Sequence, residues 1–428
     1  MTDQSQESYR ATIKELSDRI VEAQRPIKVL SGINWDDQVK EDFFAAKFKE
    51  QPKVDHAYYM AREIKLDPDE ARADLLAIEA DVAAQLGPLS SAGNLMRFMC
   101  EQFRLTVDMI EGRGTSQFPD VSKLLYGTPG DVFHSGGPTV ADLAVTMRKT
   151  LEANAVGIAA MGDERTIPGT EAVKMLRNQL DESVGKGRIE VKTDDSIASD
   201  AAAGSDYIKM REDRFFSKRD IDLLEAHEGW VHVSTTMNGL AQPVCSFLGK
   251  AAPRTTVTQE GLAVLTEMLN LRSHPMRLAK LMRRIEAIEM VSNGATFLEV
   301  FEALRVDGLS EDDAWVTTSR VFRGSVPEGG PFTKDLGYGK GLILVLMYVR
   351  MAIRFGKTAR IPLLFSGKVD LLDMAALHQL HDEGLVDEPE FVPPPFDDMA
   401  ALGTTLALSG FTGQLDLDRI SKDYERLF

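Results

Sequence analysis

Cysteine is almost missing from this chain. Cys100 and Cys245 are the only two in 428 residues, far apart and without C-x-x-C spacing, which argues against a disulfide scaffold or a thiolate metal site. Each is read as a small buried hydrophobe. Positive charge is short too: 49 Lys and Arg face 66 Asp and Glu, for a net charge of −17. A general nucleic-acid binder needs a basic surface to neutralise phosphates, and an anionic membrane would repel this chain equally, so neither is expected as a partner. Long apolar runs are lacking as well. The strongest, Gly341–Val349, stops at Arg350, short of the ~20 residues of a membrane-spanning helix, and is read as a buried helix. The opening Met1–Glu15 is polar and mixed in charge, without the apolar core of a signal peptide, and the cytoplasm is the expected location. With no repeats, no low-complexity tract and no strand–loop–helix glycine pattern for phosphate, no nucleotide fold is expected.

What remains is ordinary globular material, 43% hydrophobic and 27% charged, and most of it reads as helix. Ile13, Leu16, Ile20 and Val21 recur at helical spacing ahead of Pro26. Asp67-Pro68 reads as an N-cap with proline at the first helical position, opening a helix that Gly87-Pro88 closes. Further helices carry Leu95, Phe98 and Met99, resume from Pro138, and cross 171–180. Near residue 188 the pattern changes: Arg188–Thr193 and Asp206–Arg211 alternate apolar and polar residues and are read as a hairpin around the small-residue run Ser196–Gly204. An edge of that hairpin would suit an extended peptide. The expected division is a helical region over 1–160 and a region over 161–428 with the candidate site and the C-terminal helices, the two forming one compact body.

Two of the 7 histidines, His227 and His232, bracket Glu228. The pattern is one residue longer than the zincin signature H-E-x-x-H, in which two histidines hold a metal and the glutamate is the general base. At about 100° per residue, His232 on a regular helix would lie roughly 140° round from His227, too far to share an ion. A single widened, π-type turn would close that gap, and Gly229 would ease the distortion. Ser217 is placed to cap this helix. A third ligand is needed. Glu260, in Gln259–Ala263, stands at the expected start of another helix capped by Thr256 or Thr258, where it could serve a metal or merely suit the helix dipole. Glu225 and Glu267 compete with it on these grounds.

Taken together, Gln259-Glu260-Gly261-Leu262-Ala263 and His227-Glu228-x-x-x-His232 resemble the flavohaemoglobin-expression-modulating QEGLA-motif family. That family is related to the microtubule-associated tyrosine carboxypeptidases, zinc enzymes with an H-E-x-x-x-H helix. Arg323-Gly324 followed by Gly330-Pro331-Phe332-Thr333-Lys334-Asp335-x-x-Tyr338, and also Leu364–Lys368, are similar to further blocks of it, so the likeness spans most of the chain. The resemblance implies His227, His232 and Glu260 as Zn2+ ligands and Glu228 as the catalytic acid–base. It also implies an α+β, predominantly helical, zincin-like fold with a small sheet beside the metal-binding helix.

The expected function is a zinc-dependent metallopeptidase of carboxypeptidase type, with a peptide or protein C-terminus as substrate. Glu228 would move the proton, Tyr338 or Arg323 would face the oxyanion, and Arg323 and Lys334 would hold the terminal carboxylate. Alternatively, Lys334 and Asp335 form an exposed ion pair on a loop and Arg323 tops a helix end. Two other functions fit the same residues: a metal-binding regulatory protein without peptidase activity, its site closed by a fourth protein ligand, and a zinc amidase on a non-peptide substrate. His378-x-x-His381 with Asp382 and Glu383 is read as a solvated helix face, and Met282 and Met290 as packing.

Overall fold

Helix dominates, and the sheet falls where the sequence alternates. The computed structural model describes residues 3–158, 164–195, 197 and 199–425. The boundary expected at 160–161, and Ser196 and Ala198 of the small-residue run, lie outside them. The helix Asp3–Gln24 buries Ile13, Leu16 and Ile20 completely. Asp67 caps the helix Pro68–Leu86 by accepting from Asp69 and Glu70 N–H, and that helix packs on Ser91–Glu111. Cys100 and Cys245 are buried free thiols in this core. Burial pushes both up to about 12, so neither is a ready thiolate.

The main core continues into three helices that carry or back the candidate site: Pro253–Leu269, Pro275–Ser292 and Leu336–Arg354. The first and third approach each other so closely that a Cβ on Gly261 would meet the Gly341 carbonyl oxygen at 2.3 Å. Only hydrogen fits between these backbones. Leu262 on the first and Val345 and Val349 on the third are 0% exposed and belong to the main core that both helices enter. At about 1.5–3 kcal/mol per fully buried large apolar side chain, they hold the pair more firmly than surface ion pairs worth about 0–1 kcal/mol. The segment Thr333–Arg354 is longer than the apolar run picked out in the sequence, and by length and composition alone it could cross a membrane. Here its Leu336, Leu342, Val345 and Val349 face the core.

The expected hairpin is not what forms. Glu190–Thr193 pairs parallel with Tyr207–Met210, register Val191 to Ile208, and the second neighbour of Tyr207–Met210 is an antiparallel strand, Ala201–Ala203. The small-residue run thus supplies a strand, and the true hairpin turns at Gly204–Asp206. A parallel pair needs a long crossover, and residues 194–206 provide it. This sheet, the helix Gly169–Ser183 and one face of the histidine helix enclose a second core that includes Leu180, Val191, Ile208 and Trp230.

Candidate metal centre and its surroundings

The histidine helix starts at Ser217, whose hydroxyl accepts from Asp220 N–H at 3.0 Å while the Asp220 carboxylate accepts from Ser217 N–H at 2.8 Å. This reciprocal cap fixes the entry to Lys218–Leu224. From Glu225 to Val233 the helix widens to π, and it returns to α over Ser234–Leu240. The wide turn lies between the two cores: Ala226, Trp230 and Val233 enter the second and Val231 the first. With those residues anchored, the His227 and His232 rings come together at 4.8 Å between centroids, nearly perpendicular. Gly229 does not adopt a left-handed backbone. It lies against Leu180, whose Cδ2 would be 2.4 Å from an added Cβ, so its use is close packing rather than backbone freedom.

Glu260 is placed differently from the expectation. Pro253 is the first residue of its helix, after the N-cap Ala252, so Thr256 and Thr258 are interior and Glu260 lies two turns in. The helix dipole, which acts within the first turn, does not account for it. Glu260 Oε2 is 3.5 Å from both His227 Nε2 and His232 Nε2, and the three donor atoms lie within 4.8 Å of one another. Ligands bound at about 2.0–2.1 Å to a tetrahedral ion are themselves about 3.3–3.4 Å apart, close to the two separations from Glu260 Oε2. Glu260 Oε2 is also buried without a hydrogen-bond partner, the state of an acceptor reserved for something else. These side chains therefore fit a metal, and among the described residues they are the one such group.

Of the two rival glutamates, neither joins the cluster. Glu267 accepts from His227 Nδ1 at 2.6 Å, with Arg277 3.4 Å from the same oxygen. Glu225 turns away to Ser183 and Arg272. Burial opposes a charged His227, but Glu260 and Glu267 outweigh it and raise its pKa to about 10. Burial likewise opposes the Glu260 carboxylate, and His227 and His232 hold it well below the usual range regardless. The half-buried Glu228 stands beside His227 on the same wide turn.

A cationic cluster adjoins these groups. Lys334 Nζ lies 3.8 Å from Glu260 Oε1. The exposed Lys334–Asp335 pair is not present: Asp335 is buried and takes two hydrogen bonds from Arg320, at 2.6 and 2.9 Å, with Arg284 3.6 Å away. Adjacent residues on a turn point apart, and here one meets the metal cluster and the other the interior. Arg323 is buried at the end of Glu311–Phe322, 5.4 Å above the Phe332 ring. The Nε atoms of Arg284 and Arg323 have no partner. Burial and the neighbouring Arg320 pull both guanidinium groups down to about 10. Tyr338 stacks on His227 at 6.4 Å between rings, and burial, then Glu260, raise its pKa above the ordinary phenol value.

The sequence offers Glu267 as a rival ligand and not as the partner of His227 Nδ1, and its patterns do not disclose Arg320, Arg284 or the part played by Lys368. Two left a trace: Glu267 is seven residues after Glu260, on the same helix face, and Arg320 is one turn before Arg323. Lys368 donates to His232 O and Gln259 Oε1 from a distant loop. His378 and His381 turn to Tyr348 and Glu388 instead of to each other, and Met282 is core.

A family model described as microtubule-associated tyrosine carboxypeptidase matches residues 41–414. No curated protein matches the chain.

Proposed function

This chain belongs to the microtubule-associated tyrosine carboxypeptidase family, and from that membership we propose that it is a zinc-dependent carboxypeptidase with a zincin-like centre at His227, His232 and Glu260. The observation that carries the proposal is the meeting of both histidine Nε2 atoms, through a π-turn, at 3.5 Å from one orphaned glutamate oxygen. Within the family, Gln259–Ala263 and the wide H-E-x-x-x-H turn favour the QEGLA-motif members.

A zinc ion held there supplies Lewis-acid polarisation of the scissile carbonyl and lets water act as a nucleophile near neutral pH. Glu228 takes the proton of the attacking water and returns it to the leaving amine. Tyr338, kept protonated beside His227, donates to the developing oxyanion. Arg323 and Lys334 receive the terminal carboxylate of the substrate. The charge balance supports that role: among these buried groups Arg284, Arg320, Arg323 and Lys334 share Asp335, and Lys334 also faces Glu260. An anionic substrate end would relieve the surplus, as the family's carboxypeptidase chemistry requires.

Incubation of the purified protein with a peptide library tests this reading. Release of single C-terminal amino acids from free-acid peptides, with amidated peptides left intact, is the expected result. Internal cleavage, or release of ammonia from non-peptide amides alone, would overturn the carboxypeptidase assignment.

A further inference from the structure

Lys368 reaches the histidine helix from a loop more than a hundred residues away in sequence. Its backbone N–H donates to Leu248 O at 2.6 Å. Gly367, just before it, lies so near that strand of chain that an added Cβ would meet Leu248 O at 2.5 Å. This close approach delivers the Lys368 side chain to the end of the π-turn, where the helix narrows again and carbonyls must change partners. Ser234 Oγ donates to Gly229 O at 2.8 Å, Thr235 Oγ1 to Val231 O at 2.6 Å, and Thr236 Oγ1 to His232 O at 2.9 Å. Lys368 Nζ gives His232 O a second donor at 2.7 Å, and also donates to Thr235 Oγ1 at 3.0 Å and Gln259 Oε1 at 2.9 Å.

Lys368 Nζ thus meets three neutral acceptors. An ammonium is costly to desolvate, and an apolar residue of similar volume packs at such a place without that cost. What the ammonium offers beyond packing is a simultaneous hold on the main chain of one ligand, His232, and on the neighbour of another, Gln259 beside Glu260. Gln259 Oε1 also lies 2.9 Å from Thr235 Oγ1, whose single proton goes to Val231 O, so the Lys368 Nζ is what joins the two oxygens.

We propose that Lys368 is a positioning residue that fixes the register of the π-turn, tying the two ligand-bearing helices together so that both imidazoles stay aimed at Glu260. The inference rests on the metal-centre reading above. Full-length wild type, Lys368→Met and Lys368→Arg are compared by zinc competition against a chromogenic chelator and by the visible spectrum of the cobalt-loaded protein. The expected result is a rise of about 10–100-fold in the zinc dissociation constant of Lys368→Met, an altered cobalt spectrum, and recovery of most of both in Lys368→Arg. Leu75→Ala, a cavity in the remote helix Pro68–Leu86, serves as control and is expected to lower thermal stability without moving the zinc constant. If Lys368→Met does not fold, Thr235→Val removes one of the acceptors and is expected to shift the constant and the spectrum in the same direction. A folded variant with wild-type zinc affinity and cobalt spectrum, or a loss no larger than that of Leu75→Ala, overturns the proposal and leaves the metal centre standing. Wild type that takes no zinc overturns both.

Discussion

His227 and Glu267 face each other at 2.6 Å, Nδ1 to Oε1, with side chains 5% and 0% exposed. Glu267 shares its helix with Glu260, so one helix carries both a member of the candidate metal group and the carboxylate that holds the opposing imidazole. With the Nδ1 proton held by the carboxylate, a metal that displaced the Nε2 proton would find that nitrogen already aimed at Glu260 and His232. Glu267→Gln keeps the shape and loses the charge. The zinc dissociation constant, read by chelator competition, is expected to rise about 10–100-fold; an unchanged constant would show that the carboxylate does not tune this histidine.

Glu228→Gln separates holding the metal from using it. Because Glu228 lies beside the ligand set and outside it, the variant is expected to keep its zinc and to lose about 10²–10⁴ in turnover. A variant with normal peptide hydrolysis would remove Glu228 from the proton path.

Arg323→Ala addresses the substrate end. If Arg323 receives the terminal carboxylate, kcat/KM for free-acid peptides should fall by about 2–5 kcal/mol equivalent in transition-state energy, the range for losing one partner of a desolvated charge pair. Thermal stability should hold or improve, because this buried guanidinium has an unpartnered Nε. Loss of stability with unchanged kinetics would assign Arg323 to the fold instead.

Asp335 links stability to pH. Burial would raise its carboxyl pKa, but Arg320, with Arg284 behind it, depresses it well below the usual carboxylate value. A depressed acid stabilises the fold above its unfolded pKa of about 3.9, and that contribution disappears as pH falls from there through the folded value. Asp335→Asn should therefore cost about 3–5 kcal/mol at pH 7, as expected when a buried pair loses one member, and progressively less below about pH 4. Urea unfolding across pH checks this; a deficit independent of pH would contradict it.

Local spacing made part of this legible. His227 and His232 stand five apart, a count that calls for a wide turn if both are to reach one ion, and the structure has that turn over Glu225–Val233. Helix signals such as Asp67-Pro68 and Ser217 rest on neighbours two or three residues away, and they mark the helix starts. Contacts between distant residues stayed hidden. No local pattern says that Tyr207–Met210 prefers a parallel partner, or that Lys334 and Asp335 face opposite ways. Thr256 and Thr258 resemble caps for the Glu260 helix, but Pro253 already fits the first helical position, and the helix starts there. The glycine of Gln259–Ala263 makes sense only beside Gly341, eighty residues on.

Metal content of the purified, dialysed protein tests the centre most directly. Elemental analysis should find one equivalent of zinc in the wild type and little in His232→Ala, which removes one of the two nitrogen donors 3.5 Å from Glu260 Oε2. No stoichiometric metal in the wild type, or equal zinc in the variant, would contradict a site at His227, His232 and Glu260.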